Sequence, residues 1–153
     1  MIFLKSKNEL TMLVPELEIM NEVNSAITNL LKVKSLIEQV GALFGIITRK
    51  KIRVDHFFEM ENLDSSPNSF SIDYGILVKY IDIFQKQEKI LLGFFHSHPA
   101  KAHLFPSKKD KSFMKLWPFP YIWFIGAYPN KLIAFTLLED QIEQIPYKIK
   151  PVG

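Results

Sequence analysis

Two stretches of this chain are apolar at almost every position: VGALFGIIT, residues 40–48, and KILLGFFHS, residues 89–97. A strand with one face in water alternates apolar and polar residues, whereas a short unbroken apolar run has both faces covered. Both runs have the length of a strand and carry Gly, β-branched or aromatic residues, so both are expected to be buried strands. A sheet covered on two faces needs helices on both sides.

The rest of the chain supplies them. LEIM, 17–20, reads as a short strand. Asn21 is the expected N-cap of a helix reaching about Lys34, with Val23, Ile27, Leu30 and Leu31 on one face. A turn at Arg49–Lys51 joins the first buried strand to a partner strand from Ile52 to Glu59. ENLDSSPNSF, 61–70, has the composition of a loop. A second helix starts at Ser71 or Asp73, with Ile76, Leu77, Tyr80, Ile81 and Phe84 as its apolar stripe. Pro99–Pro106 reads as loop and a short helix follows from Ser107 to Leu116, stopped by Pro118 and Pro120. YIWFIGAY and KLIAFTLLED read as two strands joined at Pro129–Asn130. QIEQIPYKI, 141–149, reads as one last edge strand, because Pro146 cannot donate to a ladder. The expected architecture is α/β, a mixed sheet with helices on both faces, and the 153 residues are expected to form one domain.

Composition narrows the chemistry. The chain has no cysteine, so disulfides, thiolate nucleophiles and cysteine-held metals are excluded, and any metal must be held by His, Asp or Glu. The formal charge is +3, and of the 19 basic residues only Arg49 and Arg53 are arginine. Reading of phosphates and bases favours arginine forks, so these lysines, the short cluster Lys108, Lys109, Lys111 and Lys115 included, are expected to form a solvated surface rather than a nucleic-acid site. No apolar run reaches the ~18 residues of a membrane span. MIFLKSKNELTMLVPELEIM lacks the apolar core and cleavage site of a signal peptide. A cytoplasmic location is expected.

The second buried strand runs into GFFHSHPAKAHLFPSKKD, residues 93–110. Successive strand side chains point to opposite faces. His96 and His98 therefore point the same way, about 7 Å apart along an extended chain, and Ser97 points the other way. Pro99 holds His98 extended and ends the strand. A single histidine in such a place is ordinarily an imidazole satisfied by a hydrogen bond; a His-x-His pair can also grip one small ion. Ser107 and Asp110 have the spacing of a capping box, which is a sufficient structural reason for both. The two readings do not compete, since a helix start also holds an acidic residue rigidly. Two His and one Asp around zinc leave the fourth position open for water, which is the catalytic arrangement. Such a site needs a carboxylate base that is not itself a ligand.

His-Ser-His-Pro, seven residues, then Ser-x-x-Asp resembles the signature of the JAMM (MPN-plus, JAB-domain) zinc metalloproteases, with a gap before the serine one residue longer than in many members. The GFF lead-in is similar too, and EQVGALFG matches the family's Glu-x-x-Gly-x-x-x-Gly, with Glu38 as its glutamate. Glu59 and Glu61 lack that glycine pattern. The run from Asn62 through SPNSFSID resembles the family's loop-to-helix segment, so the likeness spans roughly residues 17–140. The resemblance implies a three-layer, cytidine-deaminase-like sandwich. It implies that His96, His98 and Asp110 bind Zn2+, that Glu38 shuttles the proton from water to the leaving amine, and that Ser107 donates to the oxyanion. It further implies an isopeptidase that removes ubiquitin or a ubiquitin-like modifier from lysine side chains after a Gly-Gly terminus, with the proteasome as a linked partner. Two other readings remain open: trimming of a sulfur-carrier precursor, and a metal-free MPN-type scaffold. The loop at 61–70 and the strand edges would hold the modifier's tail by strand addition. The segment 57–72 is short beside the gripping insertion of eukaryotic relatives. Relatives often carry cysteine in the loop before the serine, where this chain has AKAHLFP; a solvated loop position is expected for His103, with substrate contact as the alternative.

Overall fold

The computed structural model describes residues 1–5, 11–99 and 104–151. The chain starts with a small antiparallel hairpin of β1 (Ile2–Lys5) and β2 (Thr11–Val14), which the sequence reading had not anticipated. Next come β3 (Glu16–Met20), α1 (Asn21–Leu31), β4 (Val40–Ile47), β5 (Lys51–Met60), α2 (Tyr74–Gln85) and β6 (Ile90–Ser97). The chain continues through α3 (Lys108–Met114), β7 (Ile122–Ala127), β8 (Lys131–Leu138), β9 (Gln141–Ile145) and β10 (Tyr147–Lys150).

The two apolar runs become β4 and β6, neighbours in the middle of an eight-stranded mixed sheet of order β10-β3-β5-β4-β6-β7-β8-β9. Their lack of alternation has the expected cause. Leu43 and Phe95 face one core, built on Val23, Ile27 and Leu31 of α1. Ala42, Phe44 and Phe94 face the other, which includes Leu77 of α2 and Met114 of α3. Both layers of helices are present, so the α/β sandwich expected from the sequence is the observed fold.

The glycines of β4 are steric requirements. A Cβ at Gly41 would lie 2.2 Å from the ring of Phe57, and one at Gly45 would lie 1.9 Å from the carbonyl oxygen of Arg53. Any side chain at either position would push β5 away, and the β4–β5 register shifts between Phe44 and Gly45.

Four local expectations are corrected. Residues 141–149 form two strands: β9 pairs antiparallel with β8, and β10 pairs parallel with β3 at the opposite end of the sheet. Pro146, which lacks an N–H, sits at the break. Consecutive strands can occupy opposite edges only if the sheet curls. Accordingly, α1 contacts β3, β5, β10 and β8 from within the curl, and the Tyr147 hydroxyl donates to the Leu132 carbonyl across it at 3.3 Å. Asn21 is already helical; Met20 is the N-cap and contributes no side-chain hydrogen bond. The helix α1 ends before Lys32 rather than at Lys34, since Val33 lies exposed, off the buried face. In α2, capped by Asp73 through Gly75 N and Ile76 N, Leu77 is buried while Ile76 is exposed. The expectation for His103 lies outside the described residues. No helix among the described residues is long and apolar enough to cross a membrane.

Candidate metal centre

The strand β6 ends where β7 still continues beside it, and His98 remains tied to the sheet through its backbone N–H, which donates to the Gly126 carbonyl at 2.9 Å. His96 is buried, with the ring of Phe70 lying over its imidazole at 4.9 Å between centroids. The two side chains point the same way, and their Nε2 atoms are 3.2 Å apart. The third member comes from α3. Ser107 is its N-cap: the Ser107 hydroxyl accepts from the Asp110 N–H at 3.1 Å, and Asp110 Oδ2 accepts from the Ser107 N–H at 2.9 Å. This capping box fixes the Asp110 carboxylate, whose Oδ2 lies 3.1 Å from Nε2 of both His96 and His98.

Three ligand atoms thus form a triangle with sides of 3.1–3.2 Å. Tetrahedral zinc with bonds of about 2.0–2.1 Å has ligand atoms roughly 3.3 Å apart, so this triangle fits one face of that tetrahedron. Protons alone satisfy the arrangement badly. If both Nε2 atoms carry hydrogen, the two imidazoles oppose donor to donor; if either is bare, its lone pair faces the carboxylate. A cation held among the three removes the conflict, and these three residues are positioned for a metal.

Electrostatics point the same way. Burial lowers the His96 pKa below its usual value, and Asp110 opposes the shift without reversing it; a neutral imidazole is the metal-binding form. Burial by itself would raise the Asp110 carboxyl. Hydrogen bonds with His96 and His98, the positive charge His96 would carry and the Ser107 N–H outweigh burial and hold it well below the usual carboxylate range. Nδ1 of His96 is buried and finds no hydrogen-bond partner among the described residues, while the Phe70 ring packs on the imidazole.

Glu38 precedes β4 and is buried, and its Oε1 has no hydrogen-bond partner among the described residues. Burial first, and the negative charge of Asp110 second, push its carboxyl up to about 8. The β4–β6 register pairs Val40 with His96, and Gln39 is bonded to Ser97, so the backbone of Glu38 lies at the same strand end as His98. By contrast, Glu59 and Glu61 are exposed. A groove of about 490 Å3 is lined by Leu36, Pro67, Pro99, Tyr128 and one member of the group, His98.

Residues 21–137 match the family model described as prokaryotic homologs of the JAB domain, which covers well over half of the chain. The chain belongs to the prokaryotic JAB-domain family. A desampylase from Pyrococcus furiosus is 36% identical over 105 residues, covering 69% of this chain and 70% of that protein. Family and relative together support an isopeptidase-like hydrolase of the JAMM type. The solution structure of protein DSY2949 from Desulfitobacterium hafniense superposes with a TM-score of 0.74, covering 89% of this chain and 94% of that one. At 24% identity that likeness concerns the fold.

The sequence did not reveal the partners of two polar residues of this JAB domain. Ser97, between the histidines, accepts from the Gln39 N–H through its hydroxyl at 2.8 Å and donates its own N–H to the Gln39 carbonyl at 2.9 Å. The Asn62 amide donates to the Glu38 carbonyl at 3.0 Å. Strand alternation does predict that Ser97 points away from the histidines, but nothing local in sequence reveals its partner.

The raised Glu38 pKa has a measurable consequence in metal-free protein. The folded state holds this proton more tightly than the unfolded state, so the associated stability is present below about pH 4.5, the ordinary carboxyl value, and is lost as pH rises through about 8. In chelator-treated protein the Glu38 contribution should therefore fall by on the order of a few kcal/mol between pH 5 and pH 8.5, partly offset below about pH 6.5 by His96, whose lowered pKa acts with the opposite sign. Denaturant unfolding at several pH values measures this, and Glu38→Gln should flatten most of the slope.

Proposed function

We propose that this JAB domain is a zinc-dependent isopeptidase of the cytoplasm that removes ubiquitin or a ubiquitin-like modifier from lysine side chains. The observation that carries the reading is the triangle of His96 Nε2, His98 Nε2 and Asp110 Oδ2, at the spacing of a tetrahedral face; the buried Glu38 leads into β4, the strand paired with the one that carries the histidines.

His96, His98 and Asp110 would hold Zn2+. The ion supplies Lewis acidity, activating a water and polarising the scissile carbonyl. Glu38 is the proton carrier: it accepts a proton as water attacks and delivers it to the departing lysine amine. Burial raises this carboxyl and the charge of Zn2+ would lower it, and the two opposed effects together suit both halves of that task. Ser107 donates to the developing oxyanion. A hydroxyl accepts and donates at once, so capping α3 through Asp110 N leaves the Ser107 hydrogen available. The desampylase relative supports a modifier conjugate as substrate. A Gly-Gly terminus suits the site, because an extended chain without Cβ atoms can lie close beside the metal group.

Purified protein should contain about one zinc per chain by elemental analysis, and a chelator should abolish cleavage of modifier–lysine conjugates until zinc is restored. Offering modifier precursors in parallel separates conjugate cleavage from C-terminal processing. Folded protein that takes up no zinc, at any ratio, would leave only the scaffold reading.

A further inference from the structure

Glu38 is held in place by its backbone. Its N–H donates to the Ser66 carbonyl at 2.8 Å and its carbonyl accepts from Asn62 at 3.0 Å. The next peptide is gripped from the other side, where Ser97 takes the Gln39 N–H at 2.8 Å and gives its own N–H to the Gln39 carbonyl. In an antiparallel hydrogen-bonded pair the Gln39 N–H would ordinarily go to the carbonyl of the opposite residue. Here the serine hydroxyl takes it, at the point where β4 and β6 are about to part.

Asn62 is the centre of this clasp. It is 5% exposed, and its amide uses its full capacity. Nδ2 donates to Glu38 O and to Ser69 O, both at 3.0 Å, while Oδ1 accepts from Asp64 N at 3.0 Å and Ser71 N at 3.2 Å. One side chain thus folds the loop 62–71 onto itself and fastens it to the carbonyl of Glu38. Bracing the loop would need only the three loop bonds. The fourth bond reaches 24 residues back to Glu38, whose carboxylate is buried with an oxygen, Oε1, that has no hydrogen-bond partner among the described residues.

We infer that Asn62 is a positioning residue for Glu38, with Ser97 as the opposing jaw: together they fix the 38–39 peptides and so aim a carboxylate whose Oε1 has no hydrogen-bond partner among the described residues. The inference rests on Glu38 being the proton carrier. Misplacing a reacting group by an ångström costs on the order of 100-fold in rate, while substrate binding elsewhere is untouched.

The test is a double-mutant cycle on zinc-loaded full-length protein, using as probe a Gly-Gly-terminated peptide joined to a lysine ε-amine. Asn62→Ala and Ser97→Ala are each made in wild type and in Glu38→Gln. In wild type, each should lower kcat roughly 10- to 100-fold with KM within about twofold and zinc content unchanged. In the Glu38→Gln background, whose residual rate is read from long incubations, each should cost less than about twofold, because there is no proton carrier left to misplace. Equal losses in both backgrounds, losses that follow zinc content, or no loss would overturn the positioning role and leave Glu38 as the base. A fully active Glu38→Gln would overturn the role of Glu38 and the positioning role with it. Ser97→Ala removes a single hydroxyl and carries the test by itself if Asn62→Ala does not fold.

Discussion

Glu38→Gln binds as much zinc as the wild type and cleaves roughly 100- to 10,000-fold more slowly; that is the expected result, within the range that loss of a positioned general base produces. Glutamine fills the same volume and keeps the same backbone bonds to Ser66 and Asn62, so the fold and the His-His-Asp triangle have no reason to change. What disappears is the ability to take a proton and return it. Without metal the buried Glu38 carboxyl is raised to about 8; the charge of a bound Zn2+ would bring it down and leave it free to take a proton near neutral pH. Glu59→Gln and Glu61→Gln serve as controls. Both residues are exposed, and their variants should stay within about twofold of wild type. Elemental analysis together with initial rates on a modifier–lysine conjugate measures the outcome. A Glu38→Gln enzyme at wild-type rate would mean that another group moves the proton.

Short-range features of the fold were legible because their signals are local. The apolar runs at β4 and β6 lie in the middle of the sheet because both faces need cover. The Ser107–Asp110 spacing produced the capping box that was expected. The His-x-His alternation put His96 and His98 on one side of the strand end, at 3.2 Å between Nε2 atoms rather than the strand-repeat distance, because the imidazoles lean together. Long-range pairings were not legible. Nothing in QIEQIPYKI says that Gln141–Ile145 and Tyr147–Lys150 join opposite edges of one sheet; that choice depends on the curl of all eight strands around α1. The β1–β2 hairpin was missed because its apolar pieces are short and separated by polar residues. The clasp of Asn62 and Ser97 on Glu38 was invisible for the same reason as the sheet order: its bonds span 24 and 58 residues. Glu38 itself could be singled out only through the glycines that follow it, and Gly41 and Gly45 are there to let β5 approach. The glutamate was thus found through a packing constraint on its neighbours.

Asp110→Asn tests the other half of the site and should have the larger effect on metal. In the wild type a single oxygen, Oδ2, faces His96, His98 and the Ser107 N–H together. An asparagine oxygen can still accept from Ser107 N, so α3 keeps its cap and the substitution does not act by unravelling the helix. It removes the only negative charge among the three ligand atoms. A neutral amide is a poor partner for zinc beside two neutral imidazoles, and zinc content should fall from about one per chain to a small fraction of that, with cleavage below detection. Stability gives an independent readout. A ligand that binds only the folded state raises stability by RT ln(1 + [L]/Kd), about 2.7 kcal/mol at a hundredfold excess over Kd. Wild type should therefore melt several degrees higher with zinc than with chelator, and Asp110→Asn should melt at the same temperature in both. The contrast with Glu38→Gln is what separates the two roles. Glu38→Gln keeps the zinc-dependent melting shift and loses turnover, whereas Asp110→Asn loses both. If Asp110→Asn kept the melting shift, the carboxylate would be a capping residue that happens to face two histidines, and the metal would have to sit elsewhere.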